Sequence, residues 1–303
     1  MRDERGFALV ITLIVTALLV ALTAEFVDEV YVDTSLGHNF VAAQQAGILA
    51  ASGEEGAEAL LSFANKDQTY VSLYKLLAQP LTFEEDEGKL VITIQDESGK
   101  LNLNRFPPTG DIQADPTTAE MAGRLFRILN FKDSEGLVQA LADWRGNNEI
   151  PHPNGAKTQY YSTLTPPYAA KNGPLDTVEE LALVKGFAGA SIEKLKSLVT
   201  VYSDQQAINI NTAPEEIIEA IDPQIGPDKA KQVLAQRPFE NTKQLGDALG
   251  DQNLATGLYG TKIVFTKGDV YRITSTATVG ETTRTVEAVV RISNKKYLYW
   301  REF

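Results

Sequence analysis

A chain of 303 residues with 43% hydrophobic and 22% charged residues can bury a substantial core without covalent staples. Its formal charge of −12 argues against a general polyanion-binding surface, because phosphates are drawn to basic patches and repelled by acidic ones. The lack of cysteine removes disulfides, thiolate metal sites and thiol nucleophiles, and the two histidines, His38 and His152, read as surface residues rather than as material for a metal site or a triad.

In chain order, the first element is the run Phe7 to Ala24, 18 residues without a charge. That is near the lower limit for crossing a hydrocarbon core of roughly 30 Å. Backbone amides in lipid must be paired within the segment, so the run is predicted to be helical. Its polar residues Thr12, Thr16 and Thr23 can bond back to their own helix. A buried core helix would show a polar stripe, and a secretory signal would end in a small-residue cleavage site. Here the run continues instead into Ala24-Glu25-Phe26-Val27-Asp28-Glu29-Val30. From Glu25 to about Ala64 there is no proline, and Val41, Ala42, Ala46, Leu49 and Ala50 keep helical spacing, so one helix is predicted to leave the bilayer and continue. Arg2 and Arg5 ahead of the run favour a cytoplasmic amino terminus.

Pro80 and the acidic run Glu84 to Glu87 mark a loop, and Lys89–Ile94 and Lys100–Asn104 read as strands around a turn at Ser98-Gly99. A long stretch then carries helical character, with helices predicted at Thr117–Leu129, Ser134–Trp144, Val178–Val184, Ser191–Val201, Pro214–Ala220, Asp228–Gln236 and Thr242–Leu249. Val270–Val279 and Thr283–Ile292 are rich in β-branched residues and flank Gly280-Glu281, which reads as a hairpin. The expected fold is α+β, a long amino-terminal transmembrane helix plus a small antiparallel sheet with a large inserted all-α region. The expected divisions are a leader at 1–6, a transmembrane helix at 7–24 continuing to about 64, a head from 65–110 and 259–303, and the insertion at 111–258.

The charged leader MRDERG ends in Gly6-Phe7, which resembles the processing site of type IV prepilins and type II secretion pseudopilins. Six further motifs resemble the K-type minor pseudopilins of type II secretion: DESGKLNLN (Asp96–Asn104), ALADWR (Ala140–Arg145), PNGAKTQYY (Pro153–Tyr161), KNGPLDTVEELALVKG (Lys171–Gly186), ININTAPEEI (Ile208–Ile217) and the terminal WRE (Trp300–Glu302). The resemblance implies a non-enzymatic structural subunit cut after Gly6 by a prepilin peptidase. It further implies a single-pass anchor in a bacterial inner membrane with most of the chain periplasmic, and I- and J-type minor pseudopilins and the major pseudopilin fibre as partners. Losing Arg2, Asp3, Glu4 and Arg5 would leave the net charge at −12. The family pattern has glutamate as the fifth mature residue, where it neutralises a neighbour's amino terminus; this chain has Ile11. An unpaired ammonium in apolar surroundings is costly, so Ile11 points to a place at the leading end of the fibre, with no subunit ahead.

Thr177-Val-Glu-Glu-Leu and Thr212-Ala-Pro-Glu-Glu-Ile each read as a threonine-capped helix start with early acids. The second, continuing through Ile225-Gly226-Pro227 and Arg237-Pro238-Phe239, resembles a helix-hairpin-helix module, so the insertion is expected to be SAM-like or helix-hairpin-helix-like. Such hairpins present backbone amides to phosphate. Two features oppose DNA as a partner: Gln224 replaces the first hairpin glycine, and Asn209–Gly250 carries Lys229, Lys231, Arg237 and Lys243 against seven acidic residues. A packing role is the expected one, with a type IV pilus or DNA-uptake minor pilin as the alternative.

Asp143–Tyr161 is an oxygen-rich loop, and K-type relatives are associated with calcium there. Asp143, Asn147, Asn148 and Glu149 are the candidate ligands for an ion that needs six to eight oxygens. Gly146, Asn148 and Lys157 stand where the family pattern often has acids, so at most weak calcium binding is expected. In the alternative, Trp144 and Tyr160-Tyr161 packing holds the loop and Lys157 replaces the ion. No nucleotide fingerprint, serine elbow or zinc-helix motif occurs. Glu179-Glu180 and Glu215-Glu216 sit where helix dipoles favour acids, so no catalytic residue is nominated.

Overall fold

A computed structural model describes residues 4–67, 74, 76–85, 88–105, 117–187, 189–202 and 207–303. Helix α1 runs unbroken over Glu4–Asp67, a length of about 95 Å at 1.5 Å per residue. Its two halves differ. From Phe7 to Phe40 every side chain is exposed, and the apolar part is long enough to cross a membrane. Thr12 donates its hydroxyl to the carbonyls of Ala8 and Leu9, Thr16 to Thr12 and Thr23 to Leu19, as a lipid-facing helix requires. Farther on, Ala46, Ala50, Ala57, Leu61 and Ala64 are buried. Their spacing of three, four and seven residues puts them on one stripe, and their small size lets the helix lie close to a sheet.

Strands β1 (Leu81–Glu85) and β2 (Gly88–Asp96) follow. Two-residue strands β3 (Leu101–Asn102), β4 (Val199–Thr200), β5 (Ile208–Asn209) and β6 (Val264–Phe265) are dispersed through the middle. Strands β7 (Val270–Val279), β8 (Thr282–Arg291) and β9 (Lys296–Glu302) close the chain. The main sheet has the order β1-β2-β7-β8-β9 and is antiparallel throughout. Alternate residues Leu90, Ile92 and Ile94 of β2, Tyr271, Ile273 and Ala277 of β7, and Val286, Ala288 and Val290 of β8 pack against the α1 stripe, the period-two pattern of a sheet with one covered face.

The middle of the chain forms α2 (Thr117–Ile128), α3 (Ser134–Arg145), α4 (Thr158–Tyr161), α5 (Gly189–Lys196), α6 (Glu215–Ile221), α7 (Pro227–Gln236), α8 (Thr242–Leu249) and α9 (Gln252–Gly260). These pack around a second core that includes Leu125, Phe126, Leu141, Leu181, Ile217, Val233 and Leu245. The fold is α+β as expected, a pilin-like helix and sheet carrying a large helical region.

Several local expectations are corrected. Lys100–Asn104 does not run beside β2: the carboxylate of Asp96 accepts from Ser98 N at 2.8 Å and caps a 3₁₀ turn at Glu97–Gly99. That turn sends the chain away, so β3 pairs in parallel with β4. Ser191–Val201 is not one helix, because α5 ends at Lys196 and the β-branched Val199-Thr200 form β4. Val178–Leu183 is a 3₁₀ segment without a side-chain cap from Thr177. Thr212 caps nothing either; its hydroxyl goes to Asp96 at 2.9 Å. Glu84 and Glu85 belong to β1 rather than to a loop, while residues 86–87 and the 110/111 boundary lie outside the described residues.

Candidate functional site

The residues singled out by sequence fall in three places. Gly6, Phe7 and Ile11 all lie within α1, and Phe7 and Ile11 are exposed on its surface.

The second place is the seam between the two cores. Asp96 is buried and accepts Asn209 Nδ2 at 2.6 Å and Thr212 Oγ1 at 2.9 Å, which joins the DESGKLNLN and ININT motifs directly. Burial pushes the Asp96 carboxyl up, and the Asn209, Ser98 and Thr212 hydrogen bonds oppose it. Glu97, fully buried, accepts Lys100 Nζ at 2.6 Å and Arg272 Nε at 2.9 Å. Burial alone would raise its carboxyl, yet Lys100 and Arg272 hold it below the usual range. Arg272 of β7 also pairs with Glu287 of β8. Gly99 has to be glycine here, since a Cβ would stand 2.6 to 2.9 Å from Thr212 and Ala213 atoms. Asn211 donates to the carbonyls of Phe239 and Thr266 and accepts from Phe239 N. These motif residues hold the helical region against the sheet.

The third place is the loop after α3. Asp143 is buried, and its carboxylate accepts from His152 N at 2.9 Å and meets His152 Nδ1 at 2.8 Å. His152, read from sequence as a free surface residue, is therefore half-buried and part of this lock. Lys157 Nζ donates to the carbonyls of Asp143 at 2.5 Å and Gly146 at 2.7 Å. A Cβ on Gly155 would lie 1.7 Å from Asp143 Oδ2, so that carboxylate fills the space a side chain would need. Trp144 meets Tyr161 edge-on at 5.0 Å, and Tyr161 stacks on Tyr168 at 5.3 Å. The four candidate calcium ligands do not converge. Asn148 Nδ2 donates to the Ile150 carbonyl, Asn147 and Glu149 face solvent, and among the described residues no group of three His, Cys, Asp or Glu could hold a metal. The residues present do not fit a calcium shell of six to eight oxygens.

In the helix-hairpin-helix segment, Ile217, Ile218, Ile225, Ala230 and Val233 are spent on the helical core. Arg237 turns inward to the Ala213 carbonyl at 2.5 Å, and burial pushes its guanidinium down to about 10. Arg124 of α2 closes the end of α6 through the carbonyls of Ala220 and Ile221. Sequence reasoning missed one cluster. Tyr297 Oη donates to Glu54 at 3.2 Å and Glu58 at 3.3 Å, fastening β9 to α1. Within the Gly53-Glu-Glu-Gly-Ala-Glu58 stretch, Glu54 is buried and Glu58 half-buried, while Glu55 stays exposed.

Comparison with known proteins gives one consistent family. Models described as type II secretion system protein K match residues 99–204 and 208–262, together more than half of the chain. The chain is 28% identical over 277 residues to the type II secretion system protein K of Pseudomonas aeruginosa, covering 84% of this chain and 82% of that one. It is 27% identical over 321 residues to the protein of that description from Aeromonas hydrophila, covering 99% and 97%. Among solved structures, a chain of the GspK–GspI–GspJ complex from the enterotoxigenic Escherichia coli type 2 secretion system superposes with a TM-score of 0.73 at 22% identity, covering 89% of this chain and 99% of that chain. That likeness shows the fold.

Proposed function

The chain belongs to the type II secretion system protein K family, a minor pseudopilin of that pathway, and from this we propose that it is the tip subunit of the pseudopilus. It acts as a structural subunit rather than as an enzyme, anchored once in the bacterial inner membrane with its head in the periplasm. I- and J-type minor pseudopilins and the major pseudopilin fibre are its partners. The carrying observation is a single helix of 64 residues whose exposed apolar half is continuous with a half buried under a bulky, two-core head. Such a head crowds repeated packing along a shaft but is accommodated once at an end. Ile11 supports the same placement, because it offers no carboxylate to the ammonium of a subunit ahead.

Gold labelling of the head on isolated pseudopili tests the placement. Label confined to one end is expected, and regular labelling along the shaft would refute it. Purification under mild detergent should bring down other pilin-like subunits, whereas recovery of a monomer alone would count against assembly.

Gly6 and Phe7 form the proposed processing site, and glycine there weakens the helix locally. Mass spectrometry of membrane-extracted protein should find Phe7 as the first residue. An intact Met1 in cells with an active prepilin peptidase would contradict this. For the division of the head, the helical core includes Leu101, Leu103 and Val264. That supports a seam near Glu97 and Thr266 in place of residues 111 and 258.

A further inference from the structure

The last carbonyls of a helix have no intrahelical partner and carry the negative end of its dipole, so a cation is favoured there. At the end of α3 the carbonyls of Asp143 and Gly146 point at one atom, Lys157 Nζ, 2.5 and 2.7 Å away. Lys157 is only 6% exposed. Burial lowers the ammonium's pKa, and the Asp143 charge opposes that shift. The candidate oxygens do not face one point: the Asp143 carboxylate is held by His152 N and faces its Nδ1, Asn147 and Glu149 face solvent, and Asn148 Oδ1 is left as one buried oxygen without a hydrogen-bond partner. The turn packs directly on the Asp143 carboxylate, since a Cβ on Gly155 would stand 1.7 Å from its Oδ2. A second lysine acts alongside, with Lys185 Nζ donating to the carbonyls of Asn154 and Gly155 at 3.1 and 3.0 Å.

We propose that the Lys157 ammonium is a built-in structural cation that organises the 143–157 loop in place of a metal ion, so that this protein holds its head without calcium. An ammonium has three donors, and two of them meet carbonyls here. Being tethered to the chain, it loses no translational freedom on reaching the site. Its occupancy also does not depend on periplasmic calcium, whereas a bound ion stabilises only in proportion to its concentration over Kd. A divalent ion entering the site would have to displace the ammonium from the two carbonyls or lie beside it, and the nearby Asp143 carboxylate already serves His152.

The test uses the full-length protein in detergent, with amide hydrogen exchange and thermal unfolding followed in excess calcium chloride and in excess chelator. Wild-type Tm and the exchange of residues 147–156 are expected to be the same in both. Lys157→Met is expected to raise exchange in that segment about tenfold or more, while the β7–β8 amides stay protected. Calcium-dependent protection of the loop or a calcium-dependent rise in wild-type Tm would overturn the proposal. So would wild-type exchange in Lys157→Met. If that variant does not fold, the wild-type calcium comparison still supports or overturns the claim.

Discussion

Glu97→Ala is expected to lower the stability of the full-length protein by about 3–5 kcal/mol, the usual cost of removing one partner from a buried ion cluster. Glu97 has no exposed surface and bonds Lys100 and Arg272. The loss therefore comes mainly from the counter-charge withdrawn from Lys100 and Arg272, more than from the two hydrogen bonds themselves. Lys100 would lose its Glu97 carboxylate partner, whereas Arg272 keeps Glu287. Urea unfolding in detergent measures the effect, and a double-mutant cycle with Arg272→Met isolates the coupling. A loss below about 1 kcal/mol would place the cluster with exposed ion pairs instead. The pH sign follows from the lowered carboxyl. A depressed folded-state pKa gives stability that is present above the unfolded value and is lost as pH falls through the folded one, so this contribution disappears only in acid.

Glu54 is expected to work in the opposite direction. It is 2% exposed on α1, and its carboxyl is pushed from 4.5 up to about 7, first by burial and then by Glu58 and Glu55, with the Tyr297 bond opposing. Tyr297 of β9 faces Glu54 and Glu58 together, and Lys295 lies 3.6 Å from Glu58. A raised folded-state pKa means that the native protein binds the extra proton. Its stability is full below the unfolded value near 4.5 and falls as pH rises through about 7. The expected loss between about pH 5 and pH 8 is on the order of 2 kcal/mol, the shift converted at 1.36 kcal/mol per unit and reduced for relaxation. Glu54→Gln should flatten this slope and make the protein more stable than wild type at the alkaline end. A wild-type slope that survives in Glu54→Gln would assign it to another group. The first part to loosen is expected to be β9, since Tyr297 ties that edge strand to α1, and hydrogen exchange in residues 296–302 would show it.

The seam and the loop show how far the motifs could be read from sequence. DESGKLNLN and ININTAPEEI stand out as strings, but their meeting through Asp96, Asn209 and Thr212 joins positions more than a hundred residues apart, which no local pattern encodes. Thr212 looked like a helix cap because threonine before two glutamates usually is one. A buried carboxylate close by is the stronger attraction for its hydroxyl. Asp143 was found for its oxygen chemistry, yet its carboxylate serves His152 and its carbonyl serves Lys157.

By itself the sequence determined the long helix, because 18 uncharged residues followed by a proline-free periodic stretch have no other way to pair their amides in lipid and bury a stripe in water. It likewise determined the β7–β8 hairpin, whose β-branched alternation and Gly280 are local properties. The edge strands were decided only by tertiary structure. Strand β9 is mostly exposed, and its Tyr297, Trp300 and flanking charges show no alternation; it is a strand because β8 offers an unpaired row of backbone groups. The ends of β2 and α5 were also set from outside, by the Asp96 turn and by the pairing of Leu101 with Val199. Burial of Glu54, Glu97 and Lys157 belongs to this second class. A charged side chain reads as solvated until a distant element covers it, and only the fold says which partner then replaces the water.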